Sequence, residues 1–111
     1  MVTQSVTRLL ASANKYLKKA LVAREAFYEG QEEAATRARM YDERPIDAKY
    51  RYAKSVKGLQ QIADNKWNME QAQTFSLAAM GETMSLLLAE QRETNNLLRQ
   101  ISDKLNEMQV Y

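Results

Sequence analysis

The chain has 111 residues and a mass of 12.8 kDa, enough for one domain, with 16 Lys and Arg against 14 Asp and Glu. It contains no His and no Cys, which excludes Ser-His and Cys-His nucleophiles, the usual zinc sites, disulfides and a haem axial His. Three Gly and one Pro leave too little material for tight β-turns, a Gly-rich phosphate loop or a many-turned β fold, so the expected class is all-α.

Residues 1–24 carry Arg8, Lys15, Lys18, Lys19 and Arg24, no acid, and several hydroxyls. Organellar transit peptides share that composition. The apolar spacing continues past residue 24 without a break, which points instead to an ordinary amphipathic helix. Arg8 and Lys15 interrupt any secretory apolar run, so no signal peptide is expected. The longest uncharged stretch in the body of the chain, Gln71 to Gly81, has eleven residues. Crossing hydrocarbon takes ~20, so no membrane span is expected. The expected localisation is cytoplasmic, or virion-associated for a chain of phage origin.

The first periodic segment runs from about Thr3 to Tyr41. Alternating steps of three and four residues pick out Val6, Leu10, Ala13, Leu17, Ala20, Arg24, Phe27, Gln31, Ala34, Ala38 and Tyr41. This is a helical stripe in a setting of helix formers, with Thr3 or Ser5 as the expected cap. Pro45 ends it: the ring has no amide proton and disfavours helical geometry at Arg44. The turn is expected over residues 42–47, with Asp42 as N-cap of the next helix and Pro45 in its first turn. So short a connection predicts an antiparallel return.

The second segment, about Pro45 to Met108, has no further proline. Its last part carries a heptad seam, with Leu77, Met84, Gln91, Leu98 and Leu105 at a and Met80, Leu87, Thr94, Ile101 and Met108 at d. Eight of these ten positions are apolar, a coiled-coil pattern with one polar layer at Gln91 and Thr94. Leu88 and Leu97, at e and g, widen the face beyond a two-stranded seam. Upstream the register holds at Tyr52, Val56, Leu59 and Ala63 and fails at Lys66, Glu70 and Gln73. The stripe either rotates near residues 64–68 or the helix breaks there. A continuous or kinked helix is preferred, because neither Pro nor Gly lies in that run. Trp67 is read as a packing anchor at the shift.

The expected architecture is therefore a single helical domain over residues 1–111, a long antiparallel helical hairpin with a C-terminal coiled-coil extension. The alternative, with a break near Trp67, is a three-helix bundle. In the hairpin the first helix, on the order of 55 Å long, is too short for the second, on the order of 95 Å. The seam from about Leu87 to Met108 would then project uncovered, and such a stripe invites association.

Charge is divided unequally. Residues 1–66 hold 13 basic and 8 acidic side chains, net +5, and residues 67–111 hold 3 and 6, net −3. The two halves could attract one another between neighbouring subunits. The densest basic stretch contains Arg37, Arg39, Arg44, Lys49, Arg51 and Lys54, interleaved with Tyr41, Tyr50 and Tyr52. Those residue types can grip phosphates or stack on bases, although a solvated helix face gives the same pattern.

Other motifs point to no chemistry. Glu25, Glu29 and Glu33 share one helix face, but a di-iron set needs Glu-x-x-His pairs and there is no His. What remains is unspecific oxygen-only cation binding or an acidic solvent face. Gly58 to Met69 faintly suggests a helix-turn-helix, yet bulky Trp67 stands where a small residue belongs and no Lys or Arg follows over Asn68–Ser76. No catalytic constellation, cofactor site or metal site is expected.

Two resemblances bear on the reading. Size, absence of Cys, a helical hairpin and a single Trp are similar to the small secreted WXG family. That family carries Trp-x-Gly at its turn; here Asn68 and Met69 follow Trp67 and the turn is near Pro45, so nothing is carried over. The tract from Ser76 to Ile101 (SLAAMGETMSLLLAEQRETNNLLRQI) resembles tracts in uncharacterised small helical proteins of actinobacteria and their phages. That resemblance covers about a quarter of the chain and implies no function by itself, but it favours a phage or bacterial assembly component among the structural readings. The functional expectation is a non-enzymatic structural, assembly or adaptor protein. It would form a homo-oligomer, or dock on a helical protein partner, through Leu77, Met80, Met84, Leu87, Leu88, Gln91, Thr94, Leu98, Ile101, Leu105 and Met108. The alternative is a small nucleic-acid-associated protein using Arg37, Arg39, Arg44, Lys49, Arg51 and Lys54.

Overall fold

The computed structural model describes residues 4–110. They form three helices, α1 (Gln4–Met40), α2 (Pro45–Lys54) and α3 (Val56–Val110), and no strand occurs among them. The rod measures 98 × 22 × 16 Å, with a radius of gyration of 26.9 Å. A compact domain of this length would have about 13 Å. The all-α class and the long helical hairpin agree with the sequence expectation.

Antiparallel pairing is visible in contacts from end to end. The Ser5 hydroxyl near the start of α1 donates to Glu82 Oε2 at 2.8 Å. Asn65 Nδ2 donates to the Ala20 carbonyl at 2.7 Å in the middle. Phe27 meets Tyr52 at 5.8 Å between ring centroids near the closed end. Ser5 thus spends its hydroxyl across the helix pair; Thr3, the other expected cap, lies outside the described residues.

The turn corrects the expected role of Asp42. This residue adopts φ 55°, the left-handed conformation that Asp tolerates better than most, and closes α1. Glu43 N–H donates back to the Ala38 carbonyl at 2.9 Å and Tyr41 N–H to the same oxygen at 3.1 Å. The N-cap of α2 is Arg44, extended at φ −69° and ψ 132°, and its side chain caps nothing. Pro45 imposes that geometry on its predecessor. The Arg44 guanidinium instead reaches Asp47 with two hydrogen bonds, of 2.8 and 3.3 Å.

A second correction falls at Ser55. The sequence predicts one helix from residue 45 onward, whereas the structure ends α2 at Lys54 and restarts at Val56. Ser55 is extended, at φ −70° and ψ 160°. Its hydroxyl donates to the Tyr52 carbonyl at 2.6 Å and accepts the Gly58 N–H at 3.0 Å, so one side chain serves both helix ends. The helices come so close that a Cβ on Gly58 would strike the Tyr52 carbonyl oxygen. A lone Ser without Pro beside it gives little notice of such a joint.

From Val56 the helix is continuous through residues 64–68 to Val110, so the break near Trp67 that a three-helix bundle requires is absent. The same continuity leaves no turn for a helix-turn-helix. The stripe rotates instead. The residues of α3 that meet α1 include Asn65, Ala72, Phe75, Ala79 and Glu82, spaced by seven, three, four and three. They run beside the heptad seam, and only Ala72 and Ala79 among them are fully buried.

The buried apolar residues are Val6, Ala13, Ala20, Ala35, Ala38, Ala48, Ala72 and Ala79. Among the described residues seven of these eight are alanine, and no large side chain is fully buried. Ala13 and Ala20, like Ala72 and Ala79, stand seven apart, so each helix turns a line of methyl groups inward and the axes can approach closely. Leu10 and Leu17, expected in the first core stripe, straddle this contact and stay 49% and 39% exposed. The aromatic rings line up beside it. Tyr16 stacks on Phe75 at 5.6 Å and meets Trp67 in a T-shaped pair at 5.8 Å. Trp67 therefore anchors by ring contact, not by burial.

Candidate interaction surface

The C-terminal part of α3 outruns α1. Leu86 is the last residue with partial cover, and residues 87–109 are all exposed. At 1.5 Å per residue this overhang is about 35 Å long. Every apolar side chain of the expected interface is exposed, from 54% at Leu88 and Leu105 to 73% at Met108. Leu87, Leu98 and Ile101 fall between those limits, and the polar layer residues Gln91 and Thr94 are exposed with them.

Leu77, Met80 and Met84, placed in the expected interface from the sequence, differ from the overhang in their position. They lie alongside α1, yet remain 66%, 60% and 61% exposed, because α1 packs on the neighbouring alanine line. Two stripes thus run side by side on α3, one of small residues turned to α1 and one of large apolar residues left outward. The outward stripe forms one wall of a shallow groove. Leu10, Leu17 and Leu21 of α1 form the other wall, with Ile62 and Met69 continuing the α3 side toward the turn. Three adjoining depressions make up this groove: Leu17 and Met69 join the first two, and Leu10 joins the second to the third. The sequence signal that could have revealed it was the pair of seven-residue alanine repeats, each with a Leu or Met one position from it on the helix surface.

The six basic residues near the turn are spread over two helices and the loop, and four of them already engage side chains of this chain. Arg44 holds Asp47, Lys49 Nζ lies 2.9 Å from Glu32 Oε1, Arg51 pairs with Glu43, and Lys54 sits 4.2 Å over the Tyr50 ring. The Lys49 ammonium, by hydrogen bond and charge, holds the Glu32 carboxyl below the usual carboxylate range. Asp47 pushes the Arg44 guanidinium up in the same manner. Arg37 and Arg39 occupy the last turn of α1, where positive charge suits the helix dipole. This surface is a laced set of exposed ion pairs around the turn, not a row of outstretched cations.

Glu25, Glu29 and Glu33 are exposed on α1. Among the described residues no group of three or more carboxylates converges to hold a metal ion. Among the same residues no helix is long and apolar enough to cross a membrane. In comparisons with known proteins the chain matches no family model, no curated sequence and no solved structure.

Proposed function

We propose that this chain is a non-catalytic structural or adaptor protein that self-associates, or docks on a helical partner, through the C-terminal overhang of α3. The observation that carries the reading is the uninterrupted exposure of residues 87–109, with large apolar side chains at heptad spacing. Burying each Leu, Ile or Met there gains about 1.5–3 kcal/mol, a gain that the overhang cannot collect alone. A bare helix of this length is also marginal in water, so a partner would supply both the burial and the helix stability.

Light scattering across a range of protein concentrations tests this. The wild type is expected at twice its chain mass or more, and the Leu98→Asp, Ile101→Asp double variant at the mass of one chain. A wild type that stays monomeric up to ~1 mM removes self-association, because that limit corresponds to only about 4 kcal/mol of binding.

A further inference from the structure

We infer that the groove between α1 and α3 receives the overhang of a second copy of this chain, and that the exchange is mutual about a two-fold axis near residues 85 and 86. The inference rests on the self-association proposed above and names its geometry.

Length is the first argument. Along α3 the groove extends from Ile62 to Met84, about 33 Å, and the overhang from residue 87 to 109 is equally long. Continuity is the second. Leu77, Met80 and Met84 line the groove and belong to the same heptad stripe as Leu87, Leu98 and Ile101. Groove and overhang thus share one face of one helix. When two such helices meet antiparallel about a point between residues 84 and 87, each overhang faces the other copy's groove, as a self-complementary two-fold contact demands. A parallel pairing would set overhang on overhang and leave both grooves open.

Area is the third argument. The seven large apolar side chains of the overhang, at roughly 100 Å² each, offer on the order of 700 Å² of apolar surface. Two such exchanges, counted with the grooves that receive them, exceed the ~1,600 Å² of a standard stable interface. Charge agrees. Residues 4–24 of α1 carry five cations and no acid, while the overhang carries Glu90, Glu93, Asp103 and Glu107 against Arg92, Arg99 and Lys104, a net −1 that leans the right way without being a strong complement. Each half of the dimer becomes a three-helix section, in which the third helix covers what α1 leaves open on α3.

Because the chain has no Cys, a spin label at Asn106→Cys is site-specific without further changes. Mutual groove docking separates the two labels by ~60 Å, overhang-to-overhang antiparallel pairing by ~25 Å, and parallel pairing by under ~20 Å. Pulsed dipolar spectroscopy on the full-length dimer reads this distance. A peak near 60 Å is the expected result. A dimer with a short distance overturns the groove docking while leaving self-association in place, and a monomer at every concentration removes both. A second measurement needs no label. Leu17→Glu alters the groove wall and leaves the overhang intact, so it is expected to weaken the dimer at least tenfold while helix content is unchanged. An unchanged dissociation constant overturns the inference.

Discussion

In the hairpin, α1 and α3 meet along alanines; in the overhang, the same α3 presents leucines to solvent. The contrast comes from which stripe of α3 is covered, not from different helix chemistry. Alanine contacts let two axes come close, but each methyl group returns little when it leaves water. The side chains that would return more, among them Leu10, Leu17, Met80 and Met84, stand at the edges of the contact. A hairpin built in this way is well specified in its pairing and poorly supplied with buried area. The overhang is its converse, with ample apolar area and no partner along its own chain.

The sharpest way to break this comparison is to make one substitution in both regions. Ala20→Leu forces a large side chain into a contact with 0% exposure, and a loss of about 3 kcal/mol of hairpin stability, the upper end for overpacking, is expected. Ala89→Leu, on the exposed overhang, is expected to stay within ~0.5 kcal/mol. Denaturant titrations of the two variants, read against wild type, give the difference directly.

The glycines sharpen the same contrast at a smaller scale. Gly58→Ala drives a methyl group into the Tyr52 backbone at the joint between α2 and α3, and about 2–3 kcal/mol of destabilisation is expected. Gly81→Ala meets nothing within 4 Å and should raise helix stability by up to ~1 kcal/mol on propensity alone. Thermal melts of the two variants should therefore move in opposite directions.

The smallest expected effect is electrostatic and confined to the closed end. Glu32 has its folded pKa lowered by Lys49, so the pair stabilises the fold above the ordinary carboxylate value. That contribution is lost as pH falls through the lowered folded value. Lys49→Met should lower the melting temperature slightly at neutral pH. The gap from wild type should close in strong acid, and also in ~1 M salt, which screens exposed charges.

Much of this fold could be read from residue order, and the reasons are local. Pro45 announced the turn because its ring acts on its own backbone and on Arg44. The heptads from Leu77 to Met108 announced a helix because period is a property of a single segment. The Ser55 joint stayed hidden, since an extended Ser between two helices is held by the Tyr52 carbonyl and the Gly58 N–H, which only the folded chain brings together. Which face of α3 is covered stayed unread for a related reason. Leucine outweighs alanine in any hydrophobic pattern, but alanine wins where two helices must approach closely, and that choice belongs to the pair. For the basic residues, their number was legible and their engagement with Glu32, Glu43 and Asp47 was not.

One consequence of the ring contacts concerns how the molecule can be watched. Its single indole forms a T-shaped pair with Tyr16 inside the paired region, and residues 87–109 contain no aromatic side chain. Ultraviolet emission and near-ultraviolet dichroism therefore follow the separation of α1 from α3, while far-ultraviolet dichroism follows every helical residue, the tail included. A tail that frays first would show as loss of far-ultraviolet signal before any change of colour in the emission, which makes the two ends of the rod optically distinct without a dye.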